Sequence, residues 1–413
     1  MLSGHVHPDF TAVADVFRRQ LPQGRPGGAA LCVYYRGQPV VDLWGGTRNR
    51  AGEAWTPDTV SLSFSTTKGV VATLLHLLAD RGLLHYDKPV AHYWGGFGSN
   101  GKRDITVRHL LCHEAGLYPV RPLVEDAAEM RDWEHMLRRM EQAAPVHAPG
   151  ERNGYHALTF GWLVGGLVEK ITGEPLAVTL ARELTQPLAL NDFFIGVPEA
   201  ALGRRAELIV PAPKPASAPQ PAAAGTSRKR QPPLAQRLIE SGLRLTGFEP
   251  QSTNDAMVPR GMARFDWNAR ETAQACIPGA GGMFSARDLA RLYAVLGNGG
   301  SLDGVRLLSP ATLGRMATVQ NTGRGAVIPV PMRWRLGYHR VFTTGPRTPD
   351  AFGHFGYGGS GAWCDPARGL AVGYVVNTGV GTPFGDLRLW QLNTAAIRAA
   401  EALAEQGPAP GFA

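Results

Sequence analysis

Ser65-Thr66-Thr67-Lys68 sets a hydroxyl and an amine three residues apart, just ahead of an apolar run holding Val70, Val71, Leu74 and Leu75. If Ser65 opens a helix, Lys68 lies about 60° around it and about 4.5 Å along its axis, so both side chains share a face. A serine hydroxyl is a weak nucleophile until a base takes its proton, and a lysine desolvated on a buried helix has the lowered pKa that such a base needs. The helix N-terminus also points N–H groups toward developing negative charge. The spacing by itself equally describes an N-cap serine followed by a surface lysine. The apolar residues after Lys68 weigh against that, since burying an amine is costly without a purpose. Two more stretches hold candidate groups. Pro149-Gly150-Glu151-Arg152-Asn153-Gly154-Tyr155-His156-Ala157 leads into a run with Phe160, Trp162, Leu163 and Leu167, and His354-Phe355-Gly356-Tyr357-Gly358-Gly359-Ser360-Gly361 precedes a two-strand pattern.

Helices and strands must bring these stretches together. Periodicity predicts an amphipathic helix over 8–21, then β-rich runs over 29–35 and 40–44 joined by Arg36-Gly37-Gln38-Pro39. From about 65 to 190 the pattern is mostly helical, with helices expected at 70–78, 106–111, 130–140 and 159–171. Strands return at 361–364 and 370–377 around an Asp365-Pro366-Ala367-Arg368-Gly369 turn, and a helix over 387–404 closes the chain. The expected class is α+β with two lobes: a mainly antiparallel sheet flanked by terminal helices (1–64 with 245–413), and a helical lobe (65–210). A cleft between them is the natural ligand site.

At 413 residues, 44% hydrophobic and 18% charged, the chain can bury a sizeable core, and nothing in it suggests a coiled coil or collagen. The net charge of +8 invites a nucleic-acid reading, but residues 211–237 hold five basic residues and no acid, leaving +3 for the rest. Those 27 residues are rich in Pro and Ala, and they read as an exposed, flexible insert. No nucleic-acid motif is present. The longest apolar helical run ends at Asp80, too short to span a bilayer, and residues 1–17 have no signal-peptide pattern, so the expected location is the cytoplasm with no membrane partner. Cys32, Cys112, Cys276 and Cys364 are scattered and read as reduced thiols.

His109, Cys112 and His113 have a spacing superficially suited to zinc, but no second cluster accompanies them, so no metal or other cofactor is expected. Gly279-Ala280-Gly281-Gly282 lacks the flanking pattern of a phosphate loop. Ser285-Ala286-Arg287-Asp288 reads as a capping box for a helix through Leu289, Leu292 and Tyr293. No GxSxG elbow points to an ordinary α/β-hydrolase.

Taken together, the motifs resemble those of the serine β-lactamase and penicillin-binding superfamily: S-x-x-K, then Y-x-N or S-x-N, then K-T-G or a variant with His first. The chain is most similar to the class C-like (family VIII) carboxylesterases, whose signature phrases look like Ile105-Thr106-Val107-Arg108-His109-Leu110-Leu111-Cys112-His113-Glu114-Ala115-Gly116-Leu117 and the stretch from Pro149 to Tyr155. The likeness covers 27–377, with 211–237 as an insertion and 105–117 as a structural segment ending a helix at Gly116. It implies a β-lactamase/transpeptidase-like fold. It also implies that Ser65 is the acylated nucleophile and that Lys68 and Tyr155 share the base and acid work, the Lys68 charge lowering the Tyr155 pKa. The backbone N–H groups of Ser65 and Tyr357 would form the oxyanion hole, with His354, Phe355 and Gly356 on the substrate side and a protonated His354 able to meet a carboxylate. The chain departs from the pattern at Ala157, where an amide is usual, and at His354-Phe355, where Lys and a hydroxyl usually hold a lactam carboxylate. Both departures favour short-chain esters over lactams. The expected activity is a cofactor-free serine carboxylesterase acting on a small-molecule ester. The alternatives are an acyltransferase, an amidase or β-lactamase using the same groups, or a non-catalytic binding protein with this fold.

Overall fold

The computed structural model describes residues 2–210, 248–379, 382 and 385–405. The insert at 211–237, and the flexibility expected of it, lie outside the described residues. The chain enters through β1 (Leu2–Val6), a 3-10 turn at Pro8–Phe10, and α1 (Thr11–Gln20), which buries Val13 and Phe17. β2 (Gly28–Tyr35) and β3 (Gln38–Gly46) meet at Arg36-Gly37. Both turn residues have positive φ, 47° and 78°, as a two-residue hairpin loop requires. After β4 (Ser61–Leu62) come α2 (Thr66–Asp80), α3 (Val107–Leu111), α4 (Trp133–Gln142), α5 (Thr159–Thr172) and α6 (Leu176–Leu180). Then follow β5 (Phe193–Ile195), α7 (Pro250–Met257), α8 (Arg270–Gln274), β6 (Gly282–Phe284) and α9 (Ala286–Gly297). A small hairpin of β7 (Ser301–Leu302) and β8 (Val305–Arg306) leads to α10 (Pro310–Ala317). The chain ends through β9 (His339–Arg340), β10 (Phe352–Phe355), β11 (Gly361–Asp365), β12 (Leu370–Val376) and α11 (Leu387–Glu405).

Seven strands form one antiparallel sheet, β1-β3-β2-β12-β11-β10-β9, in which Val33 near the N-terminus lies opposite Val372 near the C-terminus. Both ends of the chain thus build one sheet. Strands β2, β10, β11 and β12 are buried on both faces, which is why they read as unbroken apolar runs rather than alternating ones. Ala30, Cys32 and Tyr34 of β2 face α9 and the helical core, while Leu31, Val33 and Tyr35 face α1 and α11.

The helices keep to the expected segments, with their ends set by caps. Thr106 stands outside α3, its hydroxyl accepting the His109 N–H at 3.2 Å. The 130–140 pattern is broken by Asp132, which accepts the His135 N–H at 2.9 Å and starts α4 afresh after a 3-10 turn at Ala127–Arg131. The segment expected to run as helix to Gly116 instead stops at Leu111, and His113 turns the chain away with φ 61°. Ser285 caps α9 as expected, accepting the Asp288 N–H at 3.1 Å, but the Asp288 carboxylate accepts the Asp192 N–H at 2.7 Å instead of closing the box. A three-stranded sheet, β4-β6-β5, went unread because its strands are two or three residues long.

α2 is buried on every side from Thr66 to Leu78, so its polar residues must find partners inside the protein. α5 crosses close to the 278–279 backbone. A side-chain carbon on Gly161 would overlap the Gly279 amide nitrogen, and one on Gly279 would overlap the Leu158 carbonyl. Neither neighbour is a flexible side chain that can step aside. Gly161→Ala is therefore expected to destabilise the fold by about 1–3 kcal/mol through forced separation of these backbones. A lowered denaturant midpoint at unchanged m-value checks it, and a midpoint equal to wild type refutes it.

Candidate active site

The turn that ends β4 delivers Ser65. Phe64 sits at φ 44°, a conformation that side chains seldom adopt, and its ring is fixed edge-on against Trp267 at 5.2 Å and Tyr357 at 5.6 Å. Ser65 then stands at the N-cap of α2, yet its hydroxyl caps no backbone N–H. It faces Lys68 Nζ at 2.8 Å. The Lys68 amine is fully buried and also donates to the carbonyls of Ala157 and Gly279, at 2.6 Å each. Among the described residues no carboxylate pairs with it, and burial holds its pKa well below the ordinary lysine value. In the ammonium form all three protons are committed. In the neutral form the two carbonyls keep the two N–H bonds, and the lone pair is left facing the Ser65 hydroxyl.

Tyr155 is buried beside this pair, its ring centre 5.2 Å from Lys68 Nζ. Its hydroxyl lies near enough to Ser65 for the serine to lower its pKa, though the two fall outside hydrogen-bonding geometry. Burial outweighs that effect and pushes the phenol above its usual value. The expectation that a charged Lys68 lowers the Tyr155 pKa is thus reversed: desolvation drives the amine down and the phenol up, each toward its uncharged form.

Tyr155 is held by a residue that the sequence reading placed only among unlikely metal ligands. The His113 carbonyl accepts the Gly154 N–H at 2.8 Å, and its Nδ1 accepts the His156 N–H at 3.1 Å. One residue in a left-handed conformation therefore grips both backbone N–H groups flanking Tyr155. Its ring also packs edge-on against the phenol at 5.0 Å, and Trp334 stacks on the phenol at 5.5 Å. Accepting at Nδ1 makes His113 neutral, and burial holds its pKa well below the usual histidine range. His109 closes a capping box with Thr106, and the Cys112 thiol is buried with its pKa pushed up by desolvation. Among the described residues no group of three or more His, Cys, Asp or Glu side chains is placed to hold a metal ion.

The third motif ends β10 against the Ser65 turn. Any side chain on Gly356 would overlap the Ser63 carbonyl, which explains a glycine where the strand passes the Ser65 turn. The Gly356 N–H donates to the Ser360 carbonyl at 2.7 Å, and Arg388 donates to the carbonyls of Gly358, at 3.1 Å, and Thr378, at 2.7 Å, fixing the loop that carries Tyr357. Among the described residues neither the Ser65 nor the Tyr357 N–H has a protein acceptor. His354 and Phe355 depart from expectation. Both side chains are fully buried, on opposite faces of the strand: Phe355 in the core under α11, and His354 on the α2 side against His339, with ring centres 4.7 Å apart, and 6.3 Å from the Tyr155 ring. Burial, His339 and Lys68 hold the His354 pKa well below the usual range, so this residue is neutral and cannot greet a carboxylate.

A cavity of about 670 Å³ opens over Ser65. Ser65, Tyr155, Ala157, Tyr357 and Phe64 form one end, and apolar residues of 208–210 and 250–267 form the walls. Among the described residues no charged side chain lines it. Sequence reasoning missed these walls, and it missed Gly279 and Ala280. The glycine-rich segment dismissed as a phosphate loop supplies one Lys68 acceptor and part of the cavity wall.

An antiparallel sheet backed by helices, with a serine and a buried lysine at the head of the central helix, defines a serine hydrolase of the β-lactamase/transpeptidase fold. The beta-lactamase family model matches residues 13–396, and the chain belongs to that family. It is 39% identical over 381 residues to the esterase/beta-lactamase LipL of Mycobacterium tuberculosis, covering 91% of this chain and 82% of that protein. Among solved structures, it is similar to a family VIII carboxylesterase, with a TM-score of 0.82 and 32% identity over 97% of this chain and 100% of the other. A penicillin-binding protein homologue from Caulobacter crescentus gives a TM-score of 0.81 at 32% identity, again over 97% and 100%. No helix among the described residues is long and apolar enough to cross a membrane.

The His113 grip makes a separable prediction. His113→Ala loses the side-chain acceptor for the His156 N–H and should lower kcat by roughly a hundredfold, the scale of a small misplacement of a reacting group. His113→Asn places an oxygen where Nδ1 stood and suits the left-handed backbone, so it should recover much of the loss. His113→Gln, whose oxygen lies one carbon further out, should not. Equal kcat in the Asn and Gln variants would refute the grip.

Proposed function

We propose that the protein is a carboxylesterase that works through an acyl-enzyme on Ser65. The observation that carries this reading is the fully buried Lys68 amine, held by two carbonyls, 2.8 Å from the Ser65 hydroxyl, with its pKa pushed well below the ordinary lysine value by burial. Lys68 takes the Ser65 proton as Oγ attacks the ester carbonyl. The oxygen that becomes negative is received by the free N–H groups of Ser65 and Tyr357. Tyr155, kept protonated by burial, gives its proton to the departing alcohol and is reprotonated from Lys68. Water then attacks the acyl carbonyl, passing a proton back through the same pair to Ser65, which leaves as the free hydroxyl.

A neutral ester suits this site better than a lactam. The carboxylate of a penicillin or cephalosporin would enter a cavity without a charged side chain, and His354, the cation expected there, is buried and neutral. Leaving such polar groups unpaired costs about 1–3 kcal/mol each. LipL is named for both activities; here the cavity lining supports the ester.

Ser65→Ala, Lys68→Ala and Tyr155→Phe should each lower ester turnover by several orders of magnitude, with double variants hardly worse, because members of one relay are strongly non-additive. The sign of the pH dependence follows from Lys68. Its base form exists above its own pKa, so kcat/KM should rise with pH along a limb centred well below 10.5. The limb should persist in Tyr155→Phe at reduced height. Near-normal turnover in Lys68→Ala, or a pH-independent wild type, contradicts the mechanism. A second comparison tests the substrate. At one pH, kcat/KM for 4-nitrophenyl butyrate should exceed that for nitrocefin by roughly ten- to hundredfold, and parity or a preference for nitrocefin contradicts the ester reading.

A further inference from the structure

We infer that the esters taken by this site carry a bulky apolar group, of aryl size or a medium-length alkyl chain, and that the walls from 208–210 and 250–267 select for it. The inference rests on the ester-hydrolase reading of Ser65 and adds the substrate class. A short acyl group fills a small part of about 670 Å³, a volume in the range of cavities that enclose whole drug-sized ligands. Leu158, Leu208, Met257, Met262, Phe265 and Trp267 line it with apolar side chains. The two methionines adapt their shape to a guest, and the two aromatic rings offer flat faces to it.

The polar groups on these walls are few. The Thr253 hydroxyl is already committed to the Val327 carbonyl at 2.7 Å. Among the described residues no hydrogen bond engages the Asn254 side-chain amide, leaving it as the one polar handle apart from the catalytic end. The mouth is apolar too. Val210, Val258 and Tyr357 line the cavity and are 59%, 40% and 52% exposed, so three of the large exposed hydrophobic residues of the described chain gather at one opening. Apolar surface left wet in this way marks a binding site rather than ordinary protein exterior. Among the described residues that line the cavity, a charged group would find no partner.

Two series of substrates test this. One is 4-nitrophenyl acetate, butyrate, hexanoate and octanoate; the other is ethyl, butyl, hexyl and octyl acetate, in which the leaving alcohol keeps nearly the same acidity. In at least one series kcat/KM should climb, by up to roughly fourfold per methylene while the added carbons are buried, and chiefly through a falling KM. The series that climbs shows which side of the ester bond occupies the walls. A decline in both series from the two-carbon member onward overturns the inference. Met262→Gln puts a polar amide on the wall and, in whichever series climbs, should lower the ratio of the six-carbon to the two-carbon member about fivefold; a ratio unchanged in that series overturns the assignment of the wall. Ser65→Ala separates this from the reading beneath it. Turnover of the acetates that survives in Ser65→Ala defeats the esterase reading itself, whereas Ser65-dependent turnover that falls with chain length defeats only the apolar-group inference.

Discussion

The rest of the site depends on one buried amine. Lys68 lies on a helix with no solvent-facing side at that depth and has no carboxylate among its partners. A cation placed there loses its hydration and regains only two peptide carbonyls and a hydroxyl, so the proton is held weakly. That weakness is the chemical asset. An ordinary lysine is almost wholly protonated at neutral pH and cannot act as a base, whereas this one has a lone pair to offer, and its geometry leaves Ser65 as the only target.

The two carbonyls come from segments far apart in sequence, so the fold has to bring them in. Ala157 lies one turn before α5 and Gly279 just before β6, and the contact between Gly161 and Gly279 locks these two backbones together. The same α5 entrance carries Tyr155, two residues ahead of Ala157. Holding the 154–156 backbone therefore positions the phenol and one Lys68 acceptor at once, which gives the His113 grip its leverage. A backbone displacement here would move Tyr155 and one Lys68 acceptor together, and the close glycine contacts and buried rings leave little room for one.

What could be read beforehand follows from how local each interaction is. Ser65 and Lys68 are linked by helix geometry three residues apart, so their spacing announces them, and the buried sides of α2 were legible as consecutive apolar residues. Tyr155 and the Tyr357 loop were placed through likeness to known motifs, which encode long-range geometry that periodicity cannot. Gly279 and Ala157 contribute carbonyl oxygens, which every residue has, and so left no side-chain signature. His113 was visible, but as a histidine its side chain suggested metal chemistry, whereas its use is half backbone and half ring nitrogen. His354 was misplaced for a different reason. On a strand buried on both faces the alternation of side chains says nothing about which face meets the cavity, and the residue fell on the interior side.

The electrostatics of the site form a consistent pattern once these placements are known. His113, His156, His339 and His354 cluster around Tyr155 and Lys68, and burial pushes the pKa of every one below the usual histidine range. Tyr155 is held neutral from the other side of the scale. Burial thus disfavours charge throughout the resting site, and among the described residues no charged side chain lines the cavity in front of it. A reaction that begins and ends with neutral partners, and separates charge only while the carbonyl oxygen is negative, suits such surroundings. That charge appears within reach of two free N–H groups and of a lysine protonated at the same moment, in a medium where neither is screened. A substrate that brought its own charge would incur desolvation on entry and meet nothing there to offset it. The demand for an uncharged base and the preference for an uncharged substrate therefore have one physical origin: the depth at which Lys68 is buried.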